Sequence, residues 1–465
     1  MDRISLVQAL LLMTYWYERP DDQKDPSHWM GESLSFAYTI GLHQKSDHNQ
    51  FDVQKQRLRR RLWWCCYMRD QLITLSMRKP NRIKTKHNIQ TLVIDDFDTQ
   101  PLDTNLVRLL GGIPATSDVA ERTTLAKICI EKVKLCICIH HILATQYSET
   151  IVKMARENMT PDVLVMLTPR QTTGENTEVI KCEQQLDEWN ENLPQDCYFR
   201  EQRTSGPRTE DLGVLSVHRA VLNMLYLTAS SALHRPQVVS ELPSRQSTTF
   251  NLQRLSLKRA KEAAIGITDI ARNLHDHGSS KFLPPVGVPI LIPAVMMHLL
   301  EIKANPAIGN ASIHRFQQCV QVLQGLQEIW FSADYAYSFL EAAVQKSNIE
   351  ILNETGRRSV QCVADLMDFQ DPLTPQTHRH LGRADLERTR VEGASQFGAP
   401  ELLRSDFAAN SAPSMVTTDT TSGTEIDRLF NEEFEALIDF NAFSESFGAG
   451  AGLGVDLNGV WTTNL

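Results

Sequence analysis

Seven consecutive apolar positions, Leu62 to Met68, follow directly on a cluster of arginines in the stretch RLRRRLWWCCYMRDQ (57–71). The run covers nearly two helical turns, so a helix that carries it is buried almost all round there. The chain must therefore surround this segment with other elements. Basic residues interleaved with aromatics also match a nucleic-acid surface, and adjacent cysteines beside arginines match a reactive thiol. Stacking on bases would need Trp63 and Trp64 exposed, and an exposed run of this kind aggregates. Cys65 and Cys66 sit inside the same apolar run. The segment reads as a core helix.

On that helix Arg59, Trp63, Cys66 and Asp70 form one stripe. A carboxylate on the buried face needs an arginine or several hydrogen bonds to be tolerated. Arg78, Arg82 and the distant Arg235 are the candidate partners.

Helical periodicity dominates the rest of the chain and strand alternation is scarce. ISLVQALLLMTYWY places Leu6, Ala9, Leu10, Met13 and Trp16 or Tyr17 on one face. HWMGESLSFAYTIGLH carries Trp29, Leu34, Ala37, Tyr38 and Ile40, with Gly41 as its stop. Further helices are expected at 124–157, 179–192, 211–235, 253–275, 290–304, 312–330 and 334–350. Leu186, Trp189 and Leu193 share a face before Pro194. Leu222, Leu225, Tyr226, Ala229 and Leu233 share another, and His234-Arg235-Pro236 is expected to end that helix. LPPVGVPILIPAVMMHLL (283–300) is long enough to span a membrane, but its four prolines point instead to a buried helix entry.

Charge separates body from tail. From Ser405 onward there are ten acids and one base, Arg428, whereas the first 404 residues hold 46 of each sign. A balanced body offers DNA no global attraction, and an acidic tail suits a protein partner. Polar, Gly/Ser/Thr/Pro-rich sequence takes over near 350–400 and cannot bury enough apolar area to offset its ordering entropy. The nine cysteines contain no C-x-x-C, so neither a zinc ribbon nor a redox motif is present. The opening residues lack a small-residue cleavage site, and with many thiols this points to the nucleus or cytosol.

Catalytic motifs are weak. DDQKD (21–25) fits the D-D-x-x-D pattern that holds magnesium and diphosphate in helical terpene synthases, through Asp21, Asp22 and Asp25. It sits in a proline-bounded loop, whereas carboxylates at that spacing converge only on a helix. IDDFD (94–98) reads as a helix cap or loop. His140 and His141 are adjacent and point to different helix faces, one to the core and one to the surface. The chain is expected not to be an enzyme and to need no metal or cofactor of its own.

Arginines including Arg60, then Trp63-Trp64, Asp70 six residues on, and a basic turn ending in Pro80 resemble the signature of the fungal-specific transcription factor domain. This is the middle homology region of fungal zinc binuclear-cluster regulators. LDEWNENLP, with Trp189 and Pro194, resembles the family's L-x-x-W-x-x-x-L-P element. LNMLYLTASSALHRP, with Tyr226, His234, Arg235 and Pro236, resembles its Tyr…His-Arg-Pro helix. FLPPVGVPILIPAVMMHLLEIKA and FQQCVQVLQGLQEIWFSADYAYSFLEAAVQK resemble the cutinase and acetamidase regulator branch. The resemblance covers about residues 1–350 and departs at one turn, where the usual Gly-Arg-Pro is Arg78-Lys79-Pro80. It implies a large all-α regulatory domain (1–350), a polar linker (351–424) and an acidic-aromatic tail (425–465), mostly disordered.

In the tail, Ile426, Phe430, Phe434, Leu437 and Ile438 share one helical face, the pattern of an activation segment that folds into a coactivator groove. A plain C-terminal helix docked on the body gives the same pattern. The resemblance implies a nuclear regulator of a metabolic gene set, a secondary-metabolite cluster first and carbon or lipid catabolism second. It would work with coactivators, as a homodimer or with a full-length zinc-cluster relative, without a membrane. DNA and zinc are expected only through an N-terminal module absent from this sequence, or through a partner. A truncated modulator of such a relative is the third reading.

Overall fold

The protein is described from a computed structural model that covers residues 2–16, 24–45, 52–84, 90–100, 108, 118–154, 162–170, 177–201, 213–239, 247–304 and 310–347. Asp21 and Asp22, the expected linker and the whole tail, with Ile426, Phe430, Phe434, Leu437 and Ile438, lie outside these residues.

Three helices open the fold: α1 (Arg3–Met13), α2 (Pro26–Thr39) and α3 (Val53–Met77). Asp25 caps α2 by accepting the His28 amide at 2.8 Å, and Pro26 occupies the first turn. Gly41, at φ +69, stops it as expected. The long α3 runs through the centre, with Leu62, Trp63, Cys66 and Ile73 buried. On one side lie α1 and α2; on the other lies α4 (Val119–Gln146). The buried face of α1 is Ile4, Val7, Leu11 and Thr14, whereas Met13 and Trp16 are exposed. The expected face was displaced because α1 is apolar nearly all round, so its periodicity selects no side and the packing against α2 does.

The expected helix over 124–157 ends early. At Gln146 it gives way to an antiparallel hairpin, β1 (Tyr147–Met154) paired with β2 (Asp162–Pro169) in the register Tyr147↔Pro169 to Met154↔Asp162. Both segments carry three β-branched residues, Thr150, Ile151 and Val152 in β1 and Val163, Val165 and Thr168 in β2, which suit a pleated surface better than a helix turn. The hairpin is an addition to an otherwise all-α fold.

The remaining helices are α5 (Thr177–Glu191), α6 (Val214–Val239), α7 (Ser247–Asp276), α8 (Gly287–Ala304), α9 (Asn310–Gln327) and α10 (Phe331–Ser347). α6 and α7 approach closely at Gly266, where a Cβ would lie 2.8 Å from the Leu227 side chain. The proline-rich α8 is buried on most sides between α6, α7, α9 and α10. Among the described residues no helix is long and apolar enough to cross a membrane. A continuous apolar cluster links α1 to α10.

Candidate functional site

The Trp63 face of α3 ends at Asp70, which is 2 % exposed. Its carboxylate accepts the backbone amides of Arg82 (3.1 and 3.2 Å) and Ile83 (3.0 Å), and the Gln71 amide at 3.3 Å. Of the three arginines considered, Arg82 is the partner, through its backbone. Burial still outweighs these bonds and the nearby Arg82 charge, and pushes the Asp70 carboxyl up to about 6. The Arg78-Lys79-Pro80 turn makes this possible by folding the chain back over α3. Arg78 takes the left-handed conformation (φ 54), unique for a non-glycine among the described residues. Lys79 pairs with Asp25, so the third aspartate of the D-D-x-x-D stretch is occupied as a helix cap and ion-pair partner.

Two arginines of the cluster are equally structural: Arg59 donates to the Ile40 carbonyl at 2.7 Å, and Arg60 forms an ion pair. Arg60 pairs with Asp96, whose side chain is buried and also accepts the Val93 amide at 2.9 Å. IDDFD thus forms a short 3-10 turn (Ile94–Asp96) tied to α3. Trp63 packs edge-on to Tyr38, with centroids 5.6 Å apart, and Trp64 donates to the Gln90 carbonyl at 3.1 Å. Burial pushes the Cys66 thiol up to about 12, which removes its thiolate at neutral pH. The core-helix reading of the stretch holds on all three counts. His140 is buried beside Gln71 and Asn81, and His141 meets Gln185 nearer the surface.

A second cluster joins α5 to α6. Trp189 stacks on Tyr226 (5.5 Å, 25°) and donates to the Glu131 carbonyl at 3.0 Å. Pro194 follows the buried Leu193 and leads into a short 3-10 turn. His234 is 1 % exposed, and its Nδ1 lies 3.1 Å from the Ser256 hydroxyl. Burial, reinforced by the Arg259 cation, lowers it to about 4, so the ring is neutral. Glu183, 3.9 Å away, is already engaged by Arg259 at 3.0 Å.

Pro236 does not end α6 as expected; the helix runs on to Val239. A proline has no amide to offer the carbonyl four residues back. Here that carbonyl, Ala232, accepts the Tyr147 hydroxyl at 2.8 Å. Tyr147, the first residue of β1, is a structural position that periodicity did not reveal. Its only trace in sequence is the proline, which implies an acceptor in search of a donor.

Between these clusters lies a cavity of about 100 Å³. The end of α3 contributes Leu72, Thr74, Leu75, Ser76 and Arg78; Leu143, Tyr147 and Leu167 come from the α4–hairpin junction. α6 adds Leu225, Thr228, Ala232 and Arg235, and α8 adds both prolines of its first turns, Pro289 and Pro293. Its walls are mainly apolar and include two guanidinium-bearing residues. The Thr74, Ser76 and Thr228 hydroxyls donate back to their own helices, so none is a spare donor. Among the described residues no cluster of His, Cys, Asp and Glu could hold a metal ion. The arrangement can hold a small molecule between five helices and a hairpin.

The polar residues of this helical body are spent largely on structure, and a cavity lies where distant segments meet. Residues 1–191 match the family described as the fungal specific transcription factor domain, and the chain carries that domain. It is 40% identical to "Cutinase transcription factor 1 beta" of Fusarium vanettenii over 359 residues, 76% of this chain and 40% of that protein. It is 32% identical to "Transcription factor cpaR" of Aspergillus oryzae over 72% of this chain and 55% of that protein. An acetamidase regulatory protein of Aspergillus fumigatus is 23% identical over 71% of this chain and 36% of its own length. The chain therefore spans about half or less of the length of these relatives. The family is one of transcription regulators, not of enzymes. No solved structure matches the chain significantly.

Proposed function

We propose that the chain regulates transcription of a fungal metabolic gene set from the nucleus, with the helical body sensing an effector and the acidic tail recruiting coactivators. The observation that carries this reading is the 40% identity to a cutinase transcription factor along 359 residues. The cavity supports the sensing role, because the turn at Arg78 and the end of α6 both line it. A molecule seated there touches elements far apart in sequence and so can bias their relative arrangement. Promoter targeting belongs to a zinc-cluster module or to a partner such as a full-length relative, and in this reading the chain also pairs with a second copy of itself. The target set is a secondary-metabolite cluster; the relatives named for cutinase and acetamidase regulation favour carbon or lipid catabolism as the second reading.

The test fuses the chain to a heterologous DNA-binding module and measures a reporter. Activation that disappears on removal of 425–465, and survives removal of 351–424, supports the division of labour. A silent fusion, or activation independent of the tail, overturns it. Transcript profiling of the deletion strain then separates the two target sets.

A further inference from the structure

We propose that the outer edge of β1 pairs, antiparallel, with the same edge of a second copy of this chain about a twofold axis at Ile151, joining two hairpins into one four-stranded sheet. The hairpin is a sheet of two strands, so each strand keeps an edge. The register fixes which groups that edge offers. The Arg170 amide goes to the Gln146 carbonyl at 2.9 Å, whereas the Leu167 amide turns away from β1 to the Arg78 carbonyl at 2.7 Å. Ladder bonds alternate along an antiparallel pair. Ser148, Thr150 and Val152 therefore spend theirs on β2, and Glu149, Ile151 and Lys153 turn theirs outward. Among the described residues no backbone group meets these three on that side. The edge of β2 is already taken at Leu167 by the Arg78 turn, which leaves β1 as the open one.

The residues of this edge specify a copy of themselves. In ETIVK (149–153) the central Ile151 has an acid two positions before it and a base two positions after it. Antiparallel pairing about Ile151 sets Glu149 opposite the partner's Lys153, and the reverse, which is the self-complementarity a twofold contact requires. The residues that turn outward are the same ones that then pair, so backbone bonds and charges agree on one register. A parallel arrangement would set like charges opposite each other. Edges are commonly guarded by lysines or prolines, but here the opposite charges cancel. Ile151 and Val165 face each other within the hairpin and are 66 % and 42 % exposed. In the joined sheet both copies of each fall in one apolar row across four strands. Glu149 also meets Lys84 at 2.7 Å, and both side chains are well exposed. Such a surface pair contributes little and yields readily.

The part this pairing plays in transcription rests on the regulatory reading above; the strand pairing itself does not. The experiment is sedimentation velocity of the purified full chain over about 1–100 µM. A reversible monomer–dimer equilibrium is expected, because one strand pair buries less than a standard interface. Lys153→Glu and Glu149→Lys each set like charges opposite and should weaken association about tenfold or more. The double variant restores the complementarity with the signs exchanged and should recover the dimer. An equimolar mixture of the two single variants should form a heterodimer. Ile151→Pro removes an outward amide without touching the bonds to β2, and should leave a monomer. Melting temperature and near-UV circular dichroism of each variant establish that it is folded.

A wild type that stays monomeric throughout overturns the proposal. So does a dimer that survives Ile151→Pro, which places the contact on another surface, or a double variant that fails to recover. A reporter that stays silent while the edges pair overturns the regulatory reading and leaves the interface. A working reporter from a chain that stays monomeric overturns the interface alone.

Discussion

The Tyr147 hydroxyl donates to the Ala232 carbonyl at 2.8 Å, an acceptor that Pro236 deprives of its helical amide. One side chain from the hairpin thus completes a helix that begins 67 residues later, at Val214. Tyr147→Phe should destabilise the fold by about 1–3 kcal/mol, the cost of a buried carbonyl left unpaired. Pro236→Ala restores the amide, so in that background the same substitution should cost clearly less. Urea unfolding of the four proteins gives the coupling energy, and simple additivity would refute this account.

Arg60 and Asp96 form a pair whose acidic member is buried. Arg60→Ala leaves that carboxylate in the core without its cation and should cost about 3 kcal/mol. Adding Asp96→Asn should recover part of the loss. Chemical denaturation checks both, and a loss no larger than that of Arg57→Ala would argue against the pair.

Two buried groups tilt stability with pH in opposite directions. The His234 ring takes its proton near 6.5 in the unfolded chain but only at about 4 in the fold. Over that interval the unfolded state holds more protons, so stability is lost as pH falls from 6.5 to 4, by roughly 3 kcal/mol in full. His234→Gln should remove that loss. The groups that face the ring are Arg259, Glu183 and Ser256, so each belongs in the controls. Asp70 behaves in reverse: its carboxyl titrates at about 6 in the fold and 3.8 outside it. The fold therefore loses stability as pH rises from 3.8 to 6, and Asp70→Asn should flatten that slope. Unfolding free energies at stepped pH values decide both.

Arg78 holds a left-handed conformation that costs an L-residue about 1–2 kcal/mol. Arg78→Gly should therefore be more stable than Arg78→Ala by about 1 kcal/mol, since both lose the contact with Tyr147 and only glycine relieves the backbone. Equal stabilities would show that the turn is not strained.

Much of this architecture can be read without coordinates. The faces of α5 and α6 follow from Leu186, Trp189 and Leu193 and from Leu222, Leu225, Ala229 and Leu233, all buried. Those patterns combine apolar and polar positions, so only one orientation buries the right side. α1 failed the same reading because its apolar residues surround the axis, and Ile4, Val7 and Leu11 were chosen by their neighbours. Arg60, Trp63, Trp64, Asp70, Trp189, Tyr226 and His234 stood out as a signature, yet their partners did not. Gln90, Asp96, Glu131 and Ser256 lie 26, 36, 58 and 22 residues from the groups they meet.

The sequence by itself determined the helical class, the burial of Leu62–Met68 and the segregation of acid into the tail. These depend on composition and on spacings within two turns, which no distant contact can alter. Tertiary structure alone decided that α4 stops at Gln146, whose carbonyl accepts the Arg170 amide at 2.9 Å just past the hairpin. It also decided that α6 survives Pro236, that Asp70 is held by backbone amides, and that Arg78 and Arg235 meet one cavity. Each of these outcomes turns on which buried donor reaches which orphaned acceptor, and that is settled only when the whole core packs.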